Sequence, residues 1–586
     1  MLVRAVVIIV LGFLAFGSML PSPFRIMDDR ISIIENPTIK SAKNIPAIFK
    51  EGYFHDQSYY RPLVNLSFLC EYHVFGLKSF FYNLDNLILH ILNALLVFLL
   101  VSRLTNNDTI GFWTGLLFVI HPVQWEAVCN IPGRSILLSA FFVLSSFVLF
   151  LEFYKHRRWY CLPLFLIAFF LGLLCKESTA MLPFVVLAYL SADKTASWVQ
   201  KIKCLWPFLL GVVGYLFLRE YFGITKVHPA ARPDILILGF VTFLRSVITD
   251  LRLFIFPVDL HYDSSLPFML SLKEPQAIGT CLFWAIALMV LIFSYRKIHA
   301  FYLFLITWFF IELFPVSQLV ASIGVGLGHI STAEHFLYVA CIPVLTGMVM
   351  TFRWVYELNT GKLFVNPPFL KFMAGGFLVF LFLTSVEQSI YASNEYNMIS
   401  RSLAYEPNNP RVQGDMGLLS VFRNDIPDAE KHFRAAIKIE PFNATYHISL
   451  GTALCEQGEW IEGLEQFVAL DPGKNKDLVD LQEKLTMTHI RQQLAGGKNF
   501  DFRGWLAIGI YYAETNQHAL AVDAFYKVIS LNSVQPDAWF NLGSLYEVQK
   551  DWPQAKRAYK KLLTLHDANL FQRDFASNHL AVIGNR

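Results

Sequence analysis

The residues able to do chemistry in this sequence stand beside its apolar runs. Asp28 and Asp29 follow the first run directly, in R-I-M-D-D-R. Paired carboxylates there suit a general base with a supporting acid, or a metal site, and Asp also suits the first turn of an interfacial helix. The segment H-P-V-Q-W-E-A-V-C-N-I-P-G-R brings His121, Gln124, Glu126, Asn130 and Arg134 to one membrane edge, where each needs a partner. An internally satisfied hydrogen-bond cluster is the plainer account of that segment. Arg61 stands in Tyr59-Tyr60-Arg61-Pro62-Leu63, Lys176-Glu177-Ser178 caps a hairpin, and Glu334-His335 with Tyr338 opens a later run. Asp259, His261 and Asp263 follow an apolar segment that itself holds Arg245, Asp250 and Arg252. His121, Glu126, His261 and Glu334 are ligating types, but their spacing fits no metal motif. Acids and bases gathered on one membrane face suit a substrate with a lipid tail and an anionic head. The tail would lie between helices, Arg and Lys would neutralise a phosphate, and a carboxylate would deprotonate the acceptor.

Membrane helices must position these groups. Of 586 residues 55% are hydrophobic, 15% aromatic and only 16% charged, with 54 Phe. An average soluble domain carries about 25% charged residues. This composition excludes a soluble enzyme, a disordered chain and a disulfide-rich secreted module. A net charge of +3 is too small to indicate nucleic-acid binding. The eight Cys form no CxxC pair, which excludes zinc-ribbon and thioredoxin motifs and leaves buried free thiols as the simple expectation. Apolar stretches predict about eleven spans, at 3–20, 84–102, 109–122, 135–152, 159–174, 179–191, 204–221, 276–294, 300–315, 336–353 and 368–386. The charged stretch 239–257 reads instead as a helix facing an internal cavity or lying at the interface. The first run reads as a retained span, since no small-residue cleavage site follows it. Lys and Arg at 155–158, with Lys194, Lys201, Lys203, Arg296, Lys297, Arg353 and Lys362, mark cytoplasmic loops, and Arg4 puts the N-terminus on the same side. The loops bearing the acids and bases then fall on the opposite face, as does everything after the last span.

From about residue 396 the composition turns polar. A 34-residue pattern appears there. It reads Trp539, Leu542, Gly543, Tyr546, Ala555, Tyr559 from 536 and Trp505, Ile508, Gly509, Tyr512, Ala521, Phe525 from 502. It returns as Gly417, Ala429, Phe433, Ala436, Pro441 from 410 and as Leu450, Gly451, Leu454, Gly463, Phe467 from 444. This is the tetratricopeptide pattern. Its Gly and Ala sit where two antiparallel helices touch, and its large residues fill the grooves between neighbours. The stretch 475–500 reads as degenerate helix that interrupts the array. The expected fold class is all-α: a polytopic membrane domain over 1–395, then a soluble α-solenoid over 396–586.

The motifs, taken in order, carry a family resemblance. The first loop has DD, then YRPL…LSF, FYNLDNLILH, HPVQWEAVCNIPGR, CKES and PVS…AEHFLY, followed by the repeats. This combination resembles the transmembrane and tetratricopeptide repeat-containing (TMTC) proteins of the GT-C superfamily of glycosyltransferases. The resemblance implies an inverting transferase. It would move a sugar, mannose or another hexose, from a polyprenyl- or dolichyl-phosphate donor to a hydroxyl of a protein acceptor on the non-cytoplasmic face. It implies Asp28 as the base with Asp29 as supporting acid, and Arg134, Lys176 and Arg61 as donor-phosphate ligands. His121, Glu126, Glu334 and His335 would shape the pocket or orient the acceptor. No metal site is expected; a divalent cation is compatible with the chemistry but not required. Partners would be the lipid-linked sugar, membrane lipid and an acceptor polypeptide in the repeat groove, with no nucleic acid. Two departures stand out: Gln124-Trp125 replaces a polar pair, and Glu334-His335 stands where the family has Glu-Arg, a permanent cation becoming a titratable one. Alternatives are a lipid-diphosphate-glycan polymerase or ligase and a non-catalytic membrane-anchored scaffold. A bacterial inner membrane with periplasmic repeats is the expected setting, with an ER membrane and luminal repeats as the alternative.

Overall fold

A computed structural model describes residues 1–26, 28–53, 59–192, 197–224, 236–294, 299–317, 319, 324–326, 329–359, 367–468, 488, 492 and 500–584. The interruption expected at 475–500, and the loop cations Lys194, Arg296, Lys297 and Lys362, lie almost wholly outside these residues. The described residues are mostly helical, and the chain divides into two compact units, Met1–Val412 and Gln413–Arg586.

In the first unit, seven described helices are long and apolar enough to cross a membrane: Leu2–Met19, Ser79–Thr105, Ile131–His156, Lys201–Tyr221, Pro275–Ser294, Glu334–Glu357 and Pro368–Ala392. Four shorter apolar helices join them: Asp108–Ile120, Cys161–Leu173, Glu177–Ala192 and Ala300–Val316. Each of the eleven coincides with a stretch expected to span, and the chain is a multi-pass membrane protein. Local chemistry sets the hairpins. Asn106 takes the left-handed conformation, φ 50°, and the Asn107 side chain accepts from the Thr109 and Ile110 amides. Asn-Asn-Asp thus ends one helix and starts the next. A Cβ on Gly115 would lie 2.9 Å from the Ala94 carbonyl oxygen, so glycine is what lets these two helices touch.

One polar face holds the bundle together. Asn83, Asn86, His90 and Asn93 follow helical spacing on Ser79–Thr105, and all four are buried. Asn83 donates to the Ser22 carbonyl (3.1 Å), Asn86 to that of Asn130 (2.8 Å) and Asn93 to that of Leu137 (3.0 Å). His90 meets the Tyr338 hydroxyl at 2.9 Å. In lipid, where apolar burial does not draw helices together, each such bond contributes about 0.6 kcal/mol and fixes which helices meet.

The segment expected to face a cavity or the interface is the helix Leu236–Leu253. It buries Thr242, Ser246 and Asp250, and its Arg252 pairs outward with Asp259 at 3.0 Å. The loops after it hold a feature not expected from the sequence. Ser265–Pro267 (β1), Gly324–Gly326 (β2) and His329–Ser331 (β3) form a small antiparallel sheet in the order β1-β3-β2. Ser265 pairs with Ser331 and Pro267 with His329.

The second unit repeats one helical hairpin. Ile426–Ile439, Ala444–Glu456 and Trp460–Val468 lie before residue 469, and Phe502–Glu514, His518–Leu531, Pro536–Val548 and Trp552–Leu563 lie after residue 500. The repeat glycines lie under the aromatic ring of their partner helix. A Cβ on Gly509 would stand 2.6 Å from the Phe525 ring, and Gly417 and Gly543 face Phe433 and Tyr559 in the same way. Ala429, Ala521 and Ala555 are fully buried at the matching close contact.

Candidate active site

The Asp pair opens a π-type turn, Arg30–Ile34, just after the first span. Asp29 points inward and is 1% exposed. Its Oδ2 accepts the Arg25 backbone N–H at 2.8 Å, and its Oδ1 is buried without a partner. The Arg25 guanidinium reaches the Cys129 and Ala392 carbonyls at 2.6 and 2.9 Å, and Glu395 accepts the Ile26 N–H at 3.0 Å. The loop is thereby keyed to the 121–134 segment and to the end of the last span. Burial pushes Asp29 up to about 7, against the pull of Arg25 and with the nearby charges of Asp28 and Glu395 adding to the rise. Asp28 is only partly buried. Its backbone carbonyl accepts the Ser32 hydroxyl at 2.6 Å, while among the described residues its carboxylate makes no hydrogen bond.

Glu126 and His335 form a tight pair. Glu126 is 5% exposed; its Oε1 lies 2.8 Å from His335 Nδ1 and its Oε2 accepts the His335 backbone N–H at 2.9 Å. Burial works against the Glu126 charge, but His335 outweighs it and holds the carboxylate below its usual range. Glu334 is 2% exposed, and its Oε1 accepts the His261 N–H at 3.4 Å. Asp263, with Arg411 at 3.4 Å, is raised to about 6 by burial, Arg411 opposing and Glu126, Glu406 and Asp28 adding. The charges of Asp28 and Glu126 thus both act on Asp263.

Two cations complete it. Arg61 pairs with Glu177, Nη2 to Oε2 at 3.0 Å, beneath the Tyr59 ring 4.7 Å away. Lys176 stands next to Glu177 in sequence, and no described residue accepts a hydrogen bond from its amine. Burial first and Arg61 second lower Lys176 to about 7, with Glu177 and Glu126 opposing. An amine in that state gains its proton when an anion arrives beside it.

Arg134 and His121 are engaged with partners of their own. Arg134 is 1% exposed and its guanidinium is shared among Asn86 Oδ1 (2.6 Å), Glu71 Oε1 (2.9 Å) and the Tyr82 carbonyl (3.0 Å). It ties three elements together around the Asn86 face. His121 Nδ1 accepts the Val123 amide at 3.3 Å and its Nε2 donates to the Phe254 carbonyl at 3.2 Å. Burial lowers it to about 4, so it is a neutral turn cap near pH 7.

Residues 62–219 match the family described as dolichyl-phosphate-mannose-protein mannosyltransferase, and residues 536–569 match the tetratricopeptide repeat. A nematode relative, "Protein O-mannosyl-transferase F38B6.6" of Caenorhabditis elegans, is 24% identical over 74% of this chain and 62% of its own length. "Protein O-mannosyl-transferase Tmtc1" of Drosophila melanogaster is 29% identical over 29% of this chain and 21% of its own. "Protein O-mannosyl-transferase TMTC3" of Homo sapiens is 31% identical over 21% of this chain and 14% of its own. The chain is similar to the TMTC O-mannosyl-transferases in a mannosyltransferase-type stretch followed by tetratricopeptide repeats. It spans less than two thirds of the length of each of these relatives. Several groups around the site went unread in the sequence. Arg25 had a visible signal, a lone cation between an apolar run and an Asp pair. Glu71, Glu395, Glu406 and Arg411 had none, because each meets its partner from a distant part of the chain.

Proposed function

We propose that the chain is an inverting glycosyltransferase moving mannose or another hexose from a polyprenyl- or dolichyl-phosphate donor to a protein hydroxyl. The observation that carries this is two partly buried groups that no described residue hydrogen-bonds, the Asp28 carboxylate and the Lys176 amine, linked through Glu126, which acts on Lys176 and, with Asp28, on Asp263. Asp28 accepts the acceptor's hydroxyl proton as that oxygen attacks the anomeric carbon from the side opposite the phosphate. The bond from that carbon to the phosphate oxygen breaks, and Lys176, with Arg61 beside it, holds the departing phosphate. Asp29, neutral for part of the time near pH 7, supports the loop from beneath Asp28. Arg134, with its donors committed to Asn86, Glu71 and Tyr82, supports the wall instead of the phosphate, and His121 caps a turn. Glu126 orients His335, and Glu334 holds the His261 loop at the rim. No step requires a divalent cation. The relatives' names as O-mannosyl-transferases support the sugar and the acceptor class. The repeats would hold the acceptor and raise its effective concentration at the mouth. The positive-charge pattern of the loops supports a mouth on the non-cytoplasmic face, periplasmic or luminal.

A panel of labelled donors tests this with the full chain in nanodiscs. Transfer from polyprenyl-phosphate mannose, but not from nucleotide sugars or lipid-diphosphate glycans, is expected. Transfer only from a lipid diphosphate would establish the polymerase or ligase alternative instead.

A further inference from the structure

Away from the mouth, one buried carboxyl lacks a partner among the described residues. Asp250 is 7% exposed on the helix Leu236–Leu253, and its side chain makes neither a hydrogen bond nor an ion pair. Burial alone acts on it and pushes it up to about 8. Removing a carboxylate from water without a counter-charge costs several kcal/mol, so such a group needs a proton or a cation.

Its surroundings indicate which. With Ser246, Ser331 and Thr332, Asp250 lines a cavity of about 10 Å³ whose other six lining residues are apolar. That is room for one water-sized particle. Phe243, Ser246 and Asp250 follow helical spacing, so one face of the helix supplies three of the ten lining residues. Two of the three hydroxyl protons are already directed elsewhere. Ser246 Oγ donates to the Phe243 carbonyl at 2.7 Å. Ser264 Oγ donates to the Thr332 carbonyl at 2.9 Å, so in the 3.3 Å contact between the two hydroxyls Thr332 is the donor. Ser246 and Thr332 therefore have lone pairs, not protons, left for the cavity. The polar side chains of the lining are one carboxylate and three hydroxyls, a hard-oxygen set in otherwise apolar walls.

We propose that this cavity binds one monovalent cation of sodium's size, held by the Asp250 carboxylate and the hydroxyl oxygens of Ser246, Ser331 and Thr332. A single positive charge makes the site neutral, whereas a divalent ion would leave an unbalanced charge in apolar surroundings. The bound ion ties the helix Leu236–Leu253 to the segment 331–337, which carries Glu334 and His335. It acts as a strut behind the mouth and takes no part in the bond changes, so it stands whether or not the transfer reaction is the one proposed.

The test is thermal unfolding of the full chain in nanodiscs, in sodium chloride against choline chloride at equal ionic strength, with potassium chloride as the size control. Sodium is expected to raise the midpoint by a few degrees in a saturable way, and potassium by less. Asp250→Asn keeps the shape without the charge and is expected to unfold identically in sodium and choline. Ser246→Ala is expected to shift the half-saturating sodium concentration upward several-fold. Equal midpoints for the wild type in all three salts would overturn the proposal and leave a water beside a protonated Asp250. A sodium response that survives Asp250→Asn would also overturn it. Where Asp250→Asn fails to fold, an unchanged half-saturation in Ser246→Ala has the same force.

Discussion

Asp28 and Asp29 are neighbours in opposite surroundings, and their roles follow from that difference. Asp29 is sealed under the loop, and its raised pKa makes a stability prediction with a definite sign. A carboxyl whose folded pKa is about 7, against an ordinary value of 3.8, favours folding least when deprotonated. Its penalty starts as pH rises through the unfolded value and is complete above the folded one. Asp29→Asn removes the charge at constant shape. It should therefore raise the thermal midpoint at pH 8 and raise it less at pH 5; a benefit larger at pH 5 would show that the carboxyl is not held protonated by burial. Lys176 makes the complementary prediction for binding. Lys176→Gln should weaken polyprenyl-phosphate binding by about tenfold or more, the loss of one charge-assisted contact, as read by titration of the lipid into nanodisc-held protein. Unchanged affinity would move the phosphate away from Lys176. The Asp pair was legible in the sequence because both carboxylates sit together where an apolar run stops. Arg134 was legible as a buried cation, but its partner Glu71, 63 residues away, was not. With one partner hidden, Arg134 and a phosphate ligand look alike in the sequence.

The elements were read well wherever the signal was local. Each span is a property of about twenty consecutive residues, and the repeat glycines and alanines recur at fixed spacing. The β1–β3 pairing was hidden for the opposite reason: Ser265 and Ser331 are three-residue strands' ends brought together across a long stretch of chain. Strands that short carry no periodicity of their own. The polar stripe on Ser79–Thr105 lay between the two cases. Its spacing was visible, but the carbonyls it binds were not. At this scale the account predicts that Arg134→Leu, which leaves Glu71 buried and unpaired, destabilises the bundle by about 3–5 kcal/mol, measured by the unfolding midpoint in detergent. A loss under 1 kcal/mol would mean that Glu71 is neutral there without its partner. In the repeats, Gly509→Leu drives a side chain into the Phe525 ring and should cost about 1–3 kcal/mol by overpacking, seen as an earlier melting of the repeat helices. A neutral effect would show that the two helices can part.

At the scale of the whole molecule, a membrane unit that carries the proposed chemistry continues into a repeat unit of the kind that binds polypeptide. That order of parts was legible from composition alone, since the apolar runs end near 390 and the 34-residue pattern begins near 410. Its meaning depends on Asp28 taking a proton from the acceptor. The most direct measurement compares wild type with Asp28→Asn in transfer of labelled mannose from polyprenyl phosphate to peptide, with lipid binding measured on the same samples. The account predicts a loss of about 10²-fold or more in transfer, as for removal of a general base, with polyprenyl-phosphate affinity unchanged. Transfer that persists at the wild-type rate in Asp28→Asn would contradict it.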